Sequence, residues 1–112
     1  MPQSFLYAIP GALSIVVNHR ALTFCTATGG EFLRALPDII EAAHAGRVAR
    51  WKFGEIEVVT DDGVVCLDKP GAGRVALLGV ESAQALQNCL PRYIRLADQL
   101  ERDPSILLVP IH

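Results

Sequence analysis

Apolar and polar positions along the chain follow two different periods, and the changes of period mark the elements. Phe5 to Ile9 is a short apolar run closed by Pro10-Gly11, which predicts a strand and a turn. Leu13 to Val17 is apolar and largely β-branched, Asn18-His19-Arg20 is a polar turn, and Ala21 to Thr26 alternates. Connections this short join neighbours in an antiparallel meander.

The period then lengthens. Phe32, Leu33, Leu36, Ile40 and Ala43 recur at helical spacing, and Gly46 stops the helix. Thr28 and Glu31 have the spacing of a capping box, in which each side chain satisfies a free backbone N–H. Pro37 interrupts the pattern and predicts a kink or a second helical segment.

From Trp51 to Thr60 the alternation returns and reads as one strand, with Glu55 and Glu57 on one face. Asp61-Asp62-Gly63 is a hairpin turn, because Asp and Gly tolerate positive φ. Val64 to Leu67 is the return strand and Arg74 to Val80 the next, across the loop Pro70-Gly71-Ala72-Gly73. That loop precedes a strand and lacks the Lys-Ser/Thr of a phosphate loop, so it reads as a linker. Ser82 caps a second helix with Leu86, Leu90, Ile94, Ala97 and Leu100 on its buried face. Ser105 to Val109 is a last apolar strand, and the flanking Pro104 and Pro110 place it at a sheet edge.

A shift of 54 positions brings the two helical stretches into register. Arg20 then meets Arg74, Leu36-Pro37 meets Leu90-Pro91, Ile40 meets Ile94, Ala43 meets Ala97, and the cap Thr28 meets the cap Ser82. The expected fold is therefore α+β: one domain over 1–112 with antiparallel sheet or sheets and two helices, made by duplication of a β-β-β-α unit, the halves being about 1–47 and 48–112. In element order alone this resembles the doubled units of the Whirly and purine-rich-element-binding proteins, which implies a single-stranded nucleic-acid ligand.

Charge argues the other way. Ten basic residues against twelve acidic leave a net charge of −2, whereas phosphate binding needs a basic field. A local version is conceivable in Arg47, Arg50, Trp51 and Lys52, where cations flank the only tryptophan, together with the repeat-related Arg20 and Arg74. The same residue types anchor protein interfaces, and Trp51 could equally be buried at the start of its strand.

Other chemistry is sparse. Cys25, Cys66 and Cys89 are too far apart for a metal finger, and each has apolar neighbours, so all three are expected to be reduced and buried. His19 and His44 have no nucleophile at a motif's spacing and read as surface residues. The N-terminus has no signal-peptide pattern and no apolar run matches a membrane span, which gives a cytoplasmic expectation with no membrane, metal or cofactor. The functional expectation is a small non-catalytic domain that binds another protein or itself. A homodimer would pair the run Ile106-Leu107-Leu108-Val109 across a twofold axis. The alternatives are a single-stranded nucleic-acid binder, and a small enzyme or small-molecule binder with its site between the halves.

Overall fold

The computed structural model describes residues 4–103; the expected strand at 105–109, with Ile106, Leu107, Leu108 and Val109, lies outside the described residues. Three antiparallel strands, β1 (Ser4–Ile9), β2 (Ala12–Val17) and β3 (Arg20–Cys25), form the first sheet in the order β1-β2-β3. Helix α1 (Thr26–His44) follows. The second sheet is β4 (Ala49–Phe53), β5 (Ile56–Asp61), β6 (Val64–Lys69) and β7 (Gly73–Gly79), paired in chain order, and α2 (Val80–Arg102) closes the described chain. The α+β class with two helices and antiparallel sheets is as expected.

The turns explain the meanders. Asn18 and His19 both have positive φ (50° and 68°), as do Asp62 and Gly63 (48° and 82°), the pairing that lets a two-residue hairpin match strand twist. The hairpin missing from the sequence reading is Gly54-Glu55. The expected strand Trp51–Thr60 is really β4 and β5, folded back so that Phe53 faces Ile56. Gly54 adopts φ +47°, and a Cβ there would stand 2.6 Å from the Thr28 hydroxyl oxygen, so both the turn and the close approach demand glycine.

Strand parity builds the core. Leu13, Ile15 and Val17 of β2 point inward with Leu22 and Phe24 of β3, and Ile56, Val58, Val65 and Leu67 do so in the second sheet. Helix α1 adds Phe32, Leu36, Ile39, Ile40 and Ala43, and α2 adds Ala83, Leu90 and Ala97. The rings of Phe24 and Phe32 meet edge-to-face at 6.4 Å. Each helix reaches across to the other half: α1 packs on β4, β5 and β6 as well as on β2 and β3, α2 packs mostly on β1 and β2 and also on β6 and β7, and the two helices pack on each other.

Both helices start three residues earlier than expected, at Thr26 and Val80, which keeps their separation at 54. The N-caps are Cys25 and Gly79, neither with a side-chain cap, so the proposed caps Thr28 and Ser82 lie inside the first turn and the Thr28–Glu31 box does not form. At its other end α1 stops as expected. The N–H groups of Gly46 (φ +75°) and Arg47 bond the carbonyls of Ala43 and Ala42, a Schellman closure. Each helix runs unbroken through its proline, Pro37 or Pro91. The described order is thus β-β-β-α, one further strand, and β-β-β-α, with β4 the member that the expected repeat did not contain.

Candidate interaction face

Among the described residues the first sheet has α2 and part of α1 on one side and no element on the other. Its outward positions form three cross-strand rows: Phe5–Val16–Ala21, Tyr7–Ser14–Thr23 and Ile9–Ala12–Cys25. None of these nine side chains carries a formal charge at neutral pH. Phe5, Tyr7 and Ile9 are 47%, 50% and 41% exposed, the two rings lie 6.2 Å apart, and Ser14 and Thr23 satisfy one another across the strands at 3.1 Å.

The second sheet provides the contrast. Its outward rows include Lys52–Glu57–Asp68–Arg74, and they are laced with ion pairs. Arg50 reaches Glu57 at 2.9 Å, and Arg74 grips Asp68 through two bonds of 2.9 and 3.4 Å. The Asp68 carboxylate raises the Arg74 pKa. The neighbouring row on that face, Arg50–Val59–Cys66–Leu77, is apolar apart from Arg50, so the second sheet mixes charged and apolar rows, whereas the outer face of the first carries no charged side chain in its three rows.

At the outer edge of β1 the apolar surface continues into a groove of about 430 Å³, walled by Phe5 and Leu6 of β1, Ile15 of β2, and Leu86, Cys89 and Tyr93 of α2. Both halves of the chain contribute to it, which is where a site between the repeats was expected. Its lining is largely apolar.

The six cation and tryptophan positions singled out in the sequence separate into two places. Arg47 is exposed in the loop after α1, and Arg50 and Lys52 point outward from β4. Trp51, between them, points to the opposite side and packs half-buried against the core. Arg20 and Arg74 lie instead where β3 meets β7, and the Arg20 guanidinium donates to the Ala72 carbonyl at 3.1 Å. The structure brings Arg20 near Arg74 but joins neither to the β4 group.

One polar cluster escaped the sequence reading. The Glu55 carboxylate, on the β4–β5 turn, accepts the Thr28 hydroxyl at 2.6 Å and the Cys25 backbone N–H at 2.7 Å. The Cys25 Sγ lies 3.4 Å from the Thr28 hydroxyl oxygen and 3.9 Å from a Glu55 oxygen. The Thr28 hydroxyl, aided by the Cys25 N–H, holds Glu55 below the usual carboxylate range, against an opposing push from burial. A carboxylate at a helix N-terminus also suits the dipole. This cluster fastens α1 to the second sheet. The Thr28 hydroxyl, the Cys25 N–H and the Cys25 thiol all converge on the one carboxylate, which makes the cluster a clasp.

The cysteines differ from expectation. All three are free, but Cys25 is exposed and Cys89 only partly buried. Leu22 and Phe24 face the core, so parity turns Cys25 outward. Cys66 is buried as expected, and burial pushes its thiol pKa up. Among the described residues no cluster of His, Cys, Asp or Glu could hold a metal ion, and no helix is long and apolar enough to cross a membrane. Comparison with known families, curated proteins and solved structures finds no match to this chain.

Proposed function

We propose that this chain is a non-catalytic interaction domain whose partner is a second copy of itself, docked through the outer face of the first sheet. The observation that carries the reading is the absence of charge from all nine outward positions of β1, β2 and β3. A twofold interface sets each patch against its own image, so any charge near the axis meets a like charge. Away from the corner where Glu55 stands beside Cys25, a face with exposed Phe5, Tyr7 and Ile9 can meet itself without that penalty. A face meant for a charged partner would carry complementary charge.

Size sets the expected strength. Three strands of six residues give a footprint of about 300 Å², well under the roughly 800 Å² per partner of a standard stable interface. The association is accordingly reversible on dilution. The nucleic-acid alternative has less support, because Trp51 faces the core while Arg50 and Lys52 face away from it.

The test is the mass of the full chain in solution over a concentration series, beside Tyr7→Lys. Tyr7 stands in the middle row, where a lysine would confront its symmetry mate. Wild type should shift from 12.1 kDa towards twice that mass as concentration rises. The variant should stay monomeric with a similar unfolding midpoint. A wild-type chain that remains monomeric up to about 1 mM refutes the proposal.

A further inference from the structure

Helix α2 presents to solvent a line of residues that the fold does not use. Gln84, Asn88, Arg92, Arg95, Gln99 and Arg102 are all exposed, and at 3.6 residues per turn they fall on one stripe opposite the buried Leu90 and Ala97. The ion pairs among the described residues, Arg50–Glu57 and Arg74–Asp68, both belong to the second sheet, so the three arginines of the stripe have no carboxylate partner. The acids of α2 stand off this line or at its start. Asp98 is half-buried, the Glu101 carboxylate lies over Gly11 in the β1–β2 turn, and Glu81 sits in the first turn, where the helix dipole favours it. We propose that the stripe is a docking surface for an acidic helical segment of another protein, whose carboxylates the guanidinium groups take up along α2. It is separate from the outer face of the first sheet and independent of self-association.

Three observations converge. First, a shift of 54 sets Arg92 and Arg95 against Asp38 and Glu41 of α1, which are exposed as well. A shared backbone dictates matching apolar positions, but it does not dictate a reversal of sign at two surface positions one turn apart. Second, Arg102 suits the negative end of the helix dipole, whereas Arg92 and Arg95 lie in middle turns, where like charges at this spacing oppose the helix. Carboxylates from a partner would offset that repulsion; none in the described fold does. Third, every cation of the stripe is arginine, whose planar fork takes both oxygens of a carboxylate, and the interleaved amides both donate and accept.

Spacing selects the partner. From Arg92 to Arg102 the helix rises about 15 Å. The positions 92, 95, 99 and 102 have the spacing of the seam along which two helices pack. A helix with acidic residues at the same spacing sets its carboxylates opposite the arginines. A nucleic-acid duplex carries one charge per about 1.7 Å, so three cations neutralise only a small part of what would lie over them. The net charge of −2 opposes the rest.

The full chain, titrated into a labelled synthetic helical peptide with one face of glutamates at this spacing, tests this by fluorescence anisotropy. Binding should weaken about 10-fold or more between about 0.01 M and 0.15 M salt. At the lower salt, Arg92→Glu with Arg95→Glu should weaken it about 10-fold or more. The same change of charge at other exposed sites, Arg47→Glu with Lys52→Glu, should leave it within about 2-fold. The reversed stripe should instead take up the lysine counterpart of the peptide. No binding of the glutamate peptide at the lower salt overturns the proposal, as does an equal loss in both double variants. A duplex oligonucleotide that binds more tightly than the peptide, and is lost from the reversed stripe, overturns it in favour of nucleic acid. Should the reversed chain fail to fold, the amide shifts of the wild type on adding the peptide decide. Changes centred on residues 88–102 support the assignment, and changes centred elsewhere overturn it. Movement of the same resonances when the chain alone is concentrated assigns the stripe to α1 of a second copy, and overturns it too.

Discussion

Replacing Glu55 with glutamine should loosen the start of α1 and leave the rest of the fold in place. The carboxylate accepts two hydrogen bonds, from the Thr28 hydroxyl at 2.6 Å and the Cys25 N–H at 2.7 Å. Hydrogen bonds to ions are worth more than neutral ones in a dry site, but Glu55 is exposed, and solvent screening reduces the gain to the scale of a helix cap. The expected loss at neutral pH is about 1 kcal/mol, a drop of about 4 °C in Tm for a domain of this size. The folded carboxyl titrates below its ordinary 4.5, so its contribution is complete above that value and drains away as pH falls through the lower folded one. Denaturant unfolding of wild type and Glu55→Gln should therefore differ at neutral pH and converge in acid. Thr28→Val supplies the control. If the hydroxyl and carboxylate act as one clasp, the double variant should be less destabilised than the sum of the singles, by about 0.5–1.5 kcal/mol. Identical midpoints at neutral pH, or strictly additive losses, would refute the clasp.

Three further outcomes follow from the packing. Leu36→Ala and Leu90→Ala, each removing a fully buried side chain, should cost about 2–5 kcal/mol apiece in denaturant unfolding. Native thiol labelling should be fast at exposed Cys25 and slow at Cys66, where burial both shields the sulfur and raises its pKa; equal rates would contradict the assigned parity of β3. Gly54→Ala should destabilise by about 1–3 kcal/mol through its positive φ, and further by displacing the Thr28 hydroxyl from Glu55.

The sequence displayed the fold wherever local signals decided it. Parity and turn residues gave β1, β2, β3, β6 and β7, and helical spacing gave both helix bodies. The β4–β5 hairpin was hidden by a run that keeps alternating in outline, yet its parity flips: Trp51 and Phe53 face inward before the turn, Ile56 and Val58 after it. That flip and Gly54 were the available signals. The helix starts were misread because a local partner, Glu31, was assumed for Thr28, whereas its hydroxyl bonds a carboxylate 27 residues away. No local rule sees such a competitor. The candidate face was legible in principle as the uncharged odd positions of β1, once parity was carried through all three strands. The cation patch misled because adjacency along a strand puts neighbours on opposite faces.

The crossing of the helices bears on how the chain matures as it is made. Helix α1 carries Phe32, Leu36 and Ile39 towards strands that follow it in sequence, the last of which ends at Lys69. A ribosome adding about 5–20 residues per second leaves that apolar stripe without its second-sheet partners for about 1–5 s. The first sheet waits longer, since its cover ends at Arg102. Early hairpins can flicker into place during elongation, and Phe24 already meets Phe32 within the first half, but each half completes its cover only when the other exists. The nascent chain thus presents oily surfaces until α2 has emerged, a window in which holdase chaperones would find their binding sites. Slow codons placed between the halves would lengthen that exposure without advancing folding.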